Sequence, residues 1–481
     1  MVRRFFKDSA FYGVATILSK GMTILMVPIY TAYLKEAEIG LLDLLLGGVA
    51  MMTLFVGLDI SNALAREYGS SPDPVERRRF SSTALWFTVF VFGIIMACSF
   101  AGGPALAALT GDPTSIGAIH AAGTYMCFGG IYVVVVQQLR WMMRPVVFGL
   151  VSIAYTLVSL LVTVALVSGT DMKVDGVLYG MSAGALAGII LSMIFARSEF
   201  GFTFDMACFR KMALFSIPLV PSSLAVVVSQ YISRFVIENE QGRDAVGVFG
   251  VGARLAGMAG LVMLGFGSAL TPLIYAGQND PATPGSLARI FRIFIALASM
   301  GLGGLVLFTP EILALLTKPS YMSAAPLMAL LSPSVLLVQM YIFAPGPWIK
   351  RRTWWVAFTN AATAALAVVL NLLLVPGMGL MGAATATLIA SAFHFGLSMA
   401  VSQHFYPVPH KWRQLSMVAA AGGAVMLLAQ FLPASISVVL VTAKLLIVAA
   451  LLAGIVFLGG IERELVMDML KKLAFRVHKS N

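Results

Sequence analysis

SAFYGVATILSKGMTILMVPIYTAYL, residues 9–34, decides how the rest of the chain must be read. The run is long enough to cross a bilayer, whose hydrocarbon core takes about 20 helical residues. Yet Lys20 stands about 11 residues into it, roughly 16 Å deep at the rise of an α-helix. A lysine at that depth costs roughly 2.5–3.5 kcal/mol on insertion scales. Thr16, Lys20 and Thr23 recur at i, i+4 and i+7, so they share one polar face. Either that face lines a protein cavity, or Lys20 snorkels or meets a carboxylate for stability alone. An ion inside a membrane segment favours the cavity, because bilayers admit buried charge mainly where function needs it.

Composition carries the same message along the whole chain. Of 481 residues, 59% are hydrophobic and 11% charged. A soluble domain has about 25% charged residues. Mean hydropathy is +0.92. The sequence therefore predicts an all-α polytopic membrane protein with almost no soluble domain. Cys98, Cys127 and Cys208 form no motif and read as packing residues. The basic start followed by a long apolar run, with no small-residue cleavage site, reads as a retained first helix. The net charge of +11 is explained by membrane topology, with no nucleic-acid partner.

Fourteen apolar segments follow one another. They lie near 9–34, 38–65, 80–101, 115–140, 146–168, 175–197 and 210–233, then 246–275, 287–308, 323–347, 354–375, 380–401, 413–431 and 436–460. With the N-terminus in the cytoplasm, roughly 24 of the basic residues fall on the cytoplasmic side, so both termini are expected there. Arg77-Arg78-Arg79 and Lys350-Arg351-Arg352 both land on that side. All six tryptophans, Trp412 among them, lie near the same boundary.

The chain also repeats itself. At an offset of 207, Gly40 matches Gly247, Tyr68 matches Tyr275, and Trp141 and Arg144 match Trp348 and Arg351. The offset then becomes 206, where Leu191-Ser192-Met193 matches Leu397-Ser398-Met399. Six spans, an even number, separate the copies, so both have one orientation. This predicts two pseudo-symmetric six-helix lobes, 1–202 and 203–405, with a binding site between them. Residues 406–481 hold spans 13 and 14 and a basic tail, an appendage without a counterpart.

The deep charges are mainly positive. Arg254 sits about eight residues into span 8, and Lys444 at similar depth in span 14. Arg234 closes span 7 near the outer face, where it reads as an interface anchor or gating residue. Asp43 and Asp59 lie toward the outer and inner ends of span 2, candidates for gating or ion pairing. Arg254 either faces a cavity or pairs with Asp43, and Lys444 either faces the cavity or snorkels outward. A cationic cavity suits phosphate or pyrophosphate, which guanidinium grips with two parallel hydrogen bonds. Span 8 is rich in glycine from Gly247 to Gly267, which permits close packing or bending. No phosphate-binding glycine loop, metal-ligand cluster or nucleophile elbow is present, so the chain reads as neither an ATPase nor another enzyme, with no cofactor.

Several stretches together resemble one group. YGVATILSKGMTILMVPIYTAYLKEAEIGLLDL resembles the first helix pair of bacterial polysaccharide flippases, including O-antigen (Wzx-type) exporters of the multidrug/oligosaccharidyl-lipid/polysaccharide (MOP) superfamily. FSIPLVPSSLAVVVSQYISRFVI with AVGVFGVGARLAG resembles their seventh and eighth helices. RRTWWVAFTNAATAALAVVLNLLLVPGMGLMGAATATLIA resembles the eleventh and twelfth. The resemblance runs over nearly the whole chain. It implies a bacterial inner-membrane protein that moves undecaprenyl-pyrophosphate-linked oligosaccharide, an O-antigen or exopolysaccharide unit, to the outer leaflet by alternating access. It also implies Lys20 and Arg254 on the cavity wall, with a proton or ion gradient or the membrane potential as drive. A polysaccharide polymerase and chain-length machinery would be its partners. The chain departs from the group at Ser233-Arg234, where an acid often precedes the arginine.

The rival within the superfamily is a multidrug or cation antiporter, which needs embedded carboxylates. A lipid II flippase differs only in substrate. A membrane-embedded polymerase or acyltransferase is disfavoured by the short external loops.

Overall fold

A computed structural model describes residues 24–109, 115–263, 280–433 and 437–458, together with 266, 270 and 274. Among them there is no strand. In hydrocarbon each backbone N–H must find its acceptor within the segment, which selects helix for such apolar runs. The helices are α1 (Ile24–Tyr33), α2 (Glu36–Gly57), α3 (Ile60–Ser70), α4 (Pro74–Leu109), α5 (Ile116–Trp141), α6 (Pro145–Gly169) and α7 (Val174–Phe195). Then come α8 (Met206–Ser216), α9 (Val220–Gln241), α10 (Arg243–Ala256), α11 (Thr283–Leu307), α12 (Thr309–Leu316), α13 (Ala325–Gln339), α14 (Gly346–Ile349), α15 (Trp354–Phe405), α16 (Trp412–Ala429) and α17 (Val438–Phe457).

Twelve helices among the described residues are long and apolar enough to cross a membrane. One of them, α15, has 52 residues. At 1.5 Å each it would reach about 78 Å, more than twice the hydrocarbon thickness. It is interrupted at Gly379, whose φ of 56° and ψ of −135° are not helical. A side chain there would be strained by φ and would also strike Gln241. The expected count of fourteen requires that α15 be two crossings and that the first segment, described only over α1, cross as well.

Span 2, expected as one helix over 38–65, is instead broken. Leu58 and Asp59 both adopt positive φ, 52° and 50°, between α2 and α3. Left-handed backbone costs a non-glycine residue about 1–2 kcal/mol. The Asp59 carboxylate helps to hold the break. It accepts from Asn62 Nδ2 at 3.0 and 2.9 Å and from Ser223 Oγ in α9 at 2.9 Å. Span 7 breaks beside it, where Pro218 lies within a short 3-10 turn, Ile217–Leu219, between α8 and α9, and Pro221 opens α9.

In the first half α4 packs on α5, and α7 on α5 and α6. In the second half α15 packs on α9 and α13. Helices α16 and α17 lie against α11. Helix α8, which the repeat assigns to the second lobe, packs on α3 and α4 of the first.

The distribution of the core shows which end is closed. Where α2 and α10 begin, residues of both halves share one cluster: Ile39 and Leu42 with Val246, Phe249 and Leu255. At the opposite end the clusters are separate. Ile60, Leu64, Phe80 and Met212 form one, and Met263, Leu287, Phe291 and Leu415 another. Among the described residues the halves are sealed where α2 and α10 begin, and at the opposite, basic end they are divided except for α8, whose Met212 joins the first half's cluster, and the Ser223–Asp59 hydrogen bond.

Candidate functional site

The seal is made by α2 and α10, whose first residues stand at the repeat offset of 207. They cross so closely that a Cβ on Gly40 would lie 2.0 Å from the Arg243 carbonyl oxygen. A Cβ on Gly247 would lie equally close, at 2.0 Å, to the Glu36 carbonyl oxygen. Only glycine permits this approach. One turn further in, Asp43 lies against Gly250, which leaves the room its carboxylate occupies.

Asp43 is buried, with 4% of its surface exposed. An isolated carboxylate there would be prohibitively costly, and two arginines compensate it. Arg234 donates from Nε to Asp43 Oδ2 at 3.1 Å. Arg254 donates from Nη2 to Asp43 Oδ1. Arg234 also donates from Nη1 to the Gln230 carbonyl at 2.7 Å, and its guanidinium lies 5.0 Å from the Tyr231 ring centre. The Arg254 guanidinium lies 5.5 Å from the Tyr30 ring centre. Two guanidiniums thus share one carboxylate, and the cluster keeps one net positive charge. Among the described residues, Arg254 Nη1 is buried with no hydrogen-bond partner. It is a donor without an acceptor, beside a cationic cluster, at the point where the two halves meet.

The structure brings Asp43, Arg234 and Arg254 together. Of the two readings of Arg254, the structure shows the ion pair with Asp43, and Nη1 remains a donor to spare. Arg234 is a second partner of the same acid, which bears on its reading as an ion-pairing residue. Ser233, before it, is buried and hydrogen-bonds with Thr387 at 3.3 Å. The acid for Arg234 comes from α2 instead. Asp59 belongs to the other end, at the break in span 2.

Lys444 is elsewhere. It is 1% exposed, so it does not snorkel. Its Nζ donates to Glu311 Oε1 in α12 at 2.6 Å and lies 5.7 Å from the Phe308 ring centre. Its neighbours are those of the joint between α11 and α12, not Asp43 and the arginines. Lys20, Thr16 and Thr23 lie outside the described residues. Sequence reading missed Glu311 and the tyrosines. Tyr231 could have been found, since it precedes Arg234 by one helical turn.

A family described as polysaccharide biosynthesis protein matches residues 5–278. The chain belongs to that family. No curated protein matches. Among solved structures, the lipid II flippase MurJ in an inward closed conformation aligns with a TM-score of 0.71 at 11% identity, covering 95% of this chain and 99% of its own. An inward-facing multidrug resistance MATE family transporter of the MOP superfamily gives 0.60 at 13% identity, covering 80% and 94%. A MOP superfamily transporter from Pyrococcus furiosus, described as having a binding pocket of reversed polarity, gives 0.58 at 14%, covering 83% and 96%. At such identities the likeness establishes the fold. The family is that of polysaccharide biosynthesis proteins, and the multi-pass fold is the one that these flippase and MOP-superfamily transporter structures share.

Proposed function

We propose that the chain is a flippase for a polyprenyl-pyrophosphate-linked oligosaccharide, an O-antigen or exopolysaccharide unit, working in the bacterial inner membrane. The observation that carries this is the cluster of Asp43, Arg234 and Arg254, cationic overall and holding an unused guanidinium donor. A pyrophosphate approaching from the divided end would find that donor, and Lys20 of the first span would add a second charge. The lobes 1–202 and 203–405 would rock about the α2–α10 crossing to expose the site on alternate sides. In a cell negative inside, outward movement of an anion gains about 2.3 kcal/mol per charge per 100 mV, which gives export a drive without ATP. Resetting the empty cationic site would use a proton or counter-ion. A polymerase and chain-length machinery would take up the product. The cation-antiporter reading is weaker, because the buried acid Asp43 is already held by two arginines.

The test compares surface glycan with protein abundance. Arg254→Ala and Lys20→Ala should each abolish export while the protein stays in the membrane, and Lys20→Arg should keep part of it. Normal export by both alanine variants would remove the basis of the proposal, as would failure explained by loss of protein. Native mass spectrometry of gently purified protein should find a polyprenyl-linked glycan bound.

A further inference from the structure

The two halves differ where each six-helix set ends. In the first half the linker after α7 is sealed onto α4. Gly201 donates its N–H to Ser82 Oγ at 2.8 Å, and Trp86 Nε1 donates to the Gly201 carbonyl at 2.9 Å. Arg78 Nη2 donates to the Phe200 carbonyl at 3.1 Å, and the Asp205 N–H to Thr83 Oγ1 at 3.1 Å. In the second half the corresponding linker, after α15, meets α11 around a cavity of about 260 Å³. Gly285, Ala288, Arg289, Arg292, Pro409, Lys411 and Leu415 line it. By the repeat offsets Arg289 replaces Ser82, Arg292 replaces Leu85 and Lys411 replaces Asp205. Among the described residues, the joint that is closed by hydrogen bonds in one half surrounds a cavity in the other, lined with three cations.

The geometry points to a phosphate-binding pocket, filled from the bilayer by the headgroup of an anionic phospholipid. Its position fits. It lies between transmembrane helices at the basic end, beside Trp412, which is 48% exposed, as suits an indole at headgroup level. Basic pockets between spans on the cytoplasmic side are where acidic headgroups bind. Its walls fit too. Leu415, Ala288 and Pro409 offer apolar surface to the glycerol and upper acyl chain, while the cations face the phosphate. Arg289 and Arg292 have other interactions as well. A guanidinium carries five N–H donors and can serve a phosphate beside them.

The test uses the full-length protein and native mass spectrometry, with phosphatidylglycerol and phosphatidylcholine as probes. Wild type should keep phosphatidylglycerol under activation that strips phosphatidylcholine. In Arg289→Gln/Arg292→Gln/Lys411→Gln, retention should fall roughly tenfold or more. Removing the same number of charges on the same face, in Lys350→Gln/Arg351→Gln/Arg352→Gln, should leave retention unchanged. Equal retention by wild type and the pocket triple would overturn the proposal, and so would equal loss from both triples. Should the pocket triple misfold, Ala288→Phe, which fills the cavity and keeps its charges, must lower retention, and unchanged retention would count against the pocket. In a parallel arm, stabilisation by inorganic phosphate with no preference for phosphatidylglycerol would assign the cavity to a free anion and refute the lipid.

Discussion

Helices α2 and α10 are copies of one another at an offset of 207, yet they carry different residues at the crossing. Where they touch, both have glycine, Gly40 and Gly247. Where they are charged, they are opposite or empty. Glu36 corresponds to Arg243, Asp43 to Gly250, and Gly47 to Arg254. The difference teaches how a duplicated helix can meet its own copy across a pseudo-two-fold axis. Steric features on the axis must be shared, since each backbone is the other's obstacle. Charges on the axis must not be shared, since a copied acid would face an acid in a poorly solvated place. Divergence of charge on a conserved steric frame turns a self-contact into an ion-paired seal.

The largest expected effect comes from breaking the shared part. Gly247→Ala puts a methyl where the Glu36 carbonyl stands, and backbone cannot yield as a side chain can. We expect α2 and α10 to part and transport to fall below about a tenth, a barrier change of roughly 1.4 kcal/mol or more. Cysteines near the crossing should become reachable from outside, and a variant with full transport and no new labelling would break the comparison.

Next is the unshared part. Asp43→Asn leaves two half-buried guanidiniums without their acid and should cost up to about 3 kcal/mol, read as a loss of thermal stability. A sharper form moves the acid to the other copy. Gly250→Asp alone should fail, because its side chain would collide with the Asp43 carboxylate. Asp43→Gly/Gly250→Asp should recover much of the stability, since the vacated space and both arginines remain. If the double variant is as poor as either single one, the two positions are not interchangeable.

Lys444→Met should cost somewhat less than the loss of Asp43, because it leaves one charge unpaired where loss of Asp43 leaves two. Lys444→Met/Glu311→Gln should be close to neutral in stability and in transport. Loss of export from that stable double variant would return Lys444 to the transport path.

The smallest effect is set by pH. Burial pushes His410, in the linker before α16, below the ordinary histidine value of 6.5. The unfolded chain then binds the proton more readily than the folded one. Its contribution is fully present above that value and is lost as pH falls below it. Melting temperature should drop by a few degrees between about pH 8 and about pH 5.5, and His410→Gln should flatten that part of the profile. A drop of equal size in the variant would place the titration elsewhere.

Sequence alone determined the fold class, because apolar length and charge scarcity are properties of each segment and need no partner. It also determined the repeat and the likeness of Gly40 and Gly247, which are read by counting along the chain. Only the tertiary structure decided what the buried charges do. Asp43 meets Arg234 across 191 positions and Arg254 across 211, and Lys444 meets Glu311 across 133. Helical periodicity reaches only a few residues, so it gives the face a charge occupies and not the helix that stands opposite. The left-handed break at Leu58 and Asp59 was equally hidden. Leu58 does not favour that conformation, and beside the local bonds from Asn62 the break is held by Ser223 in another helix.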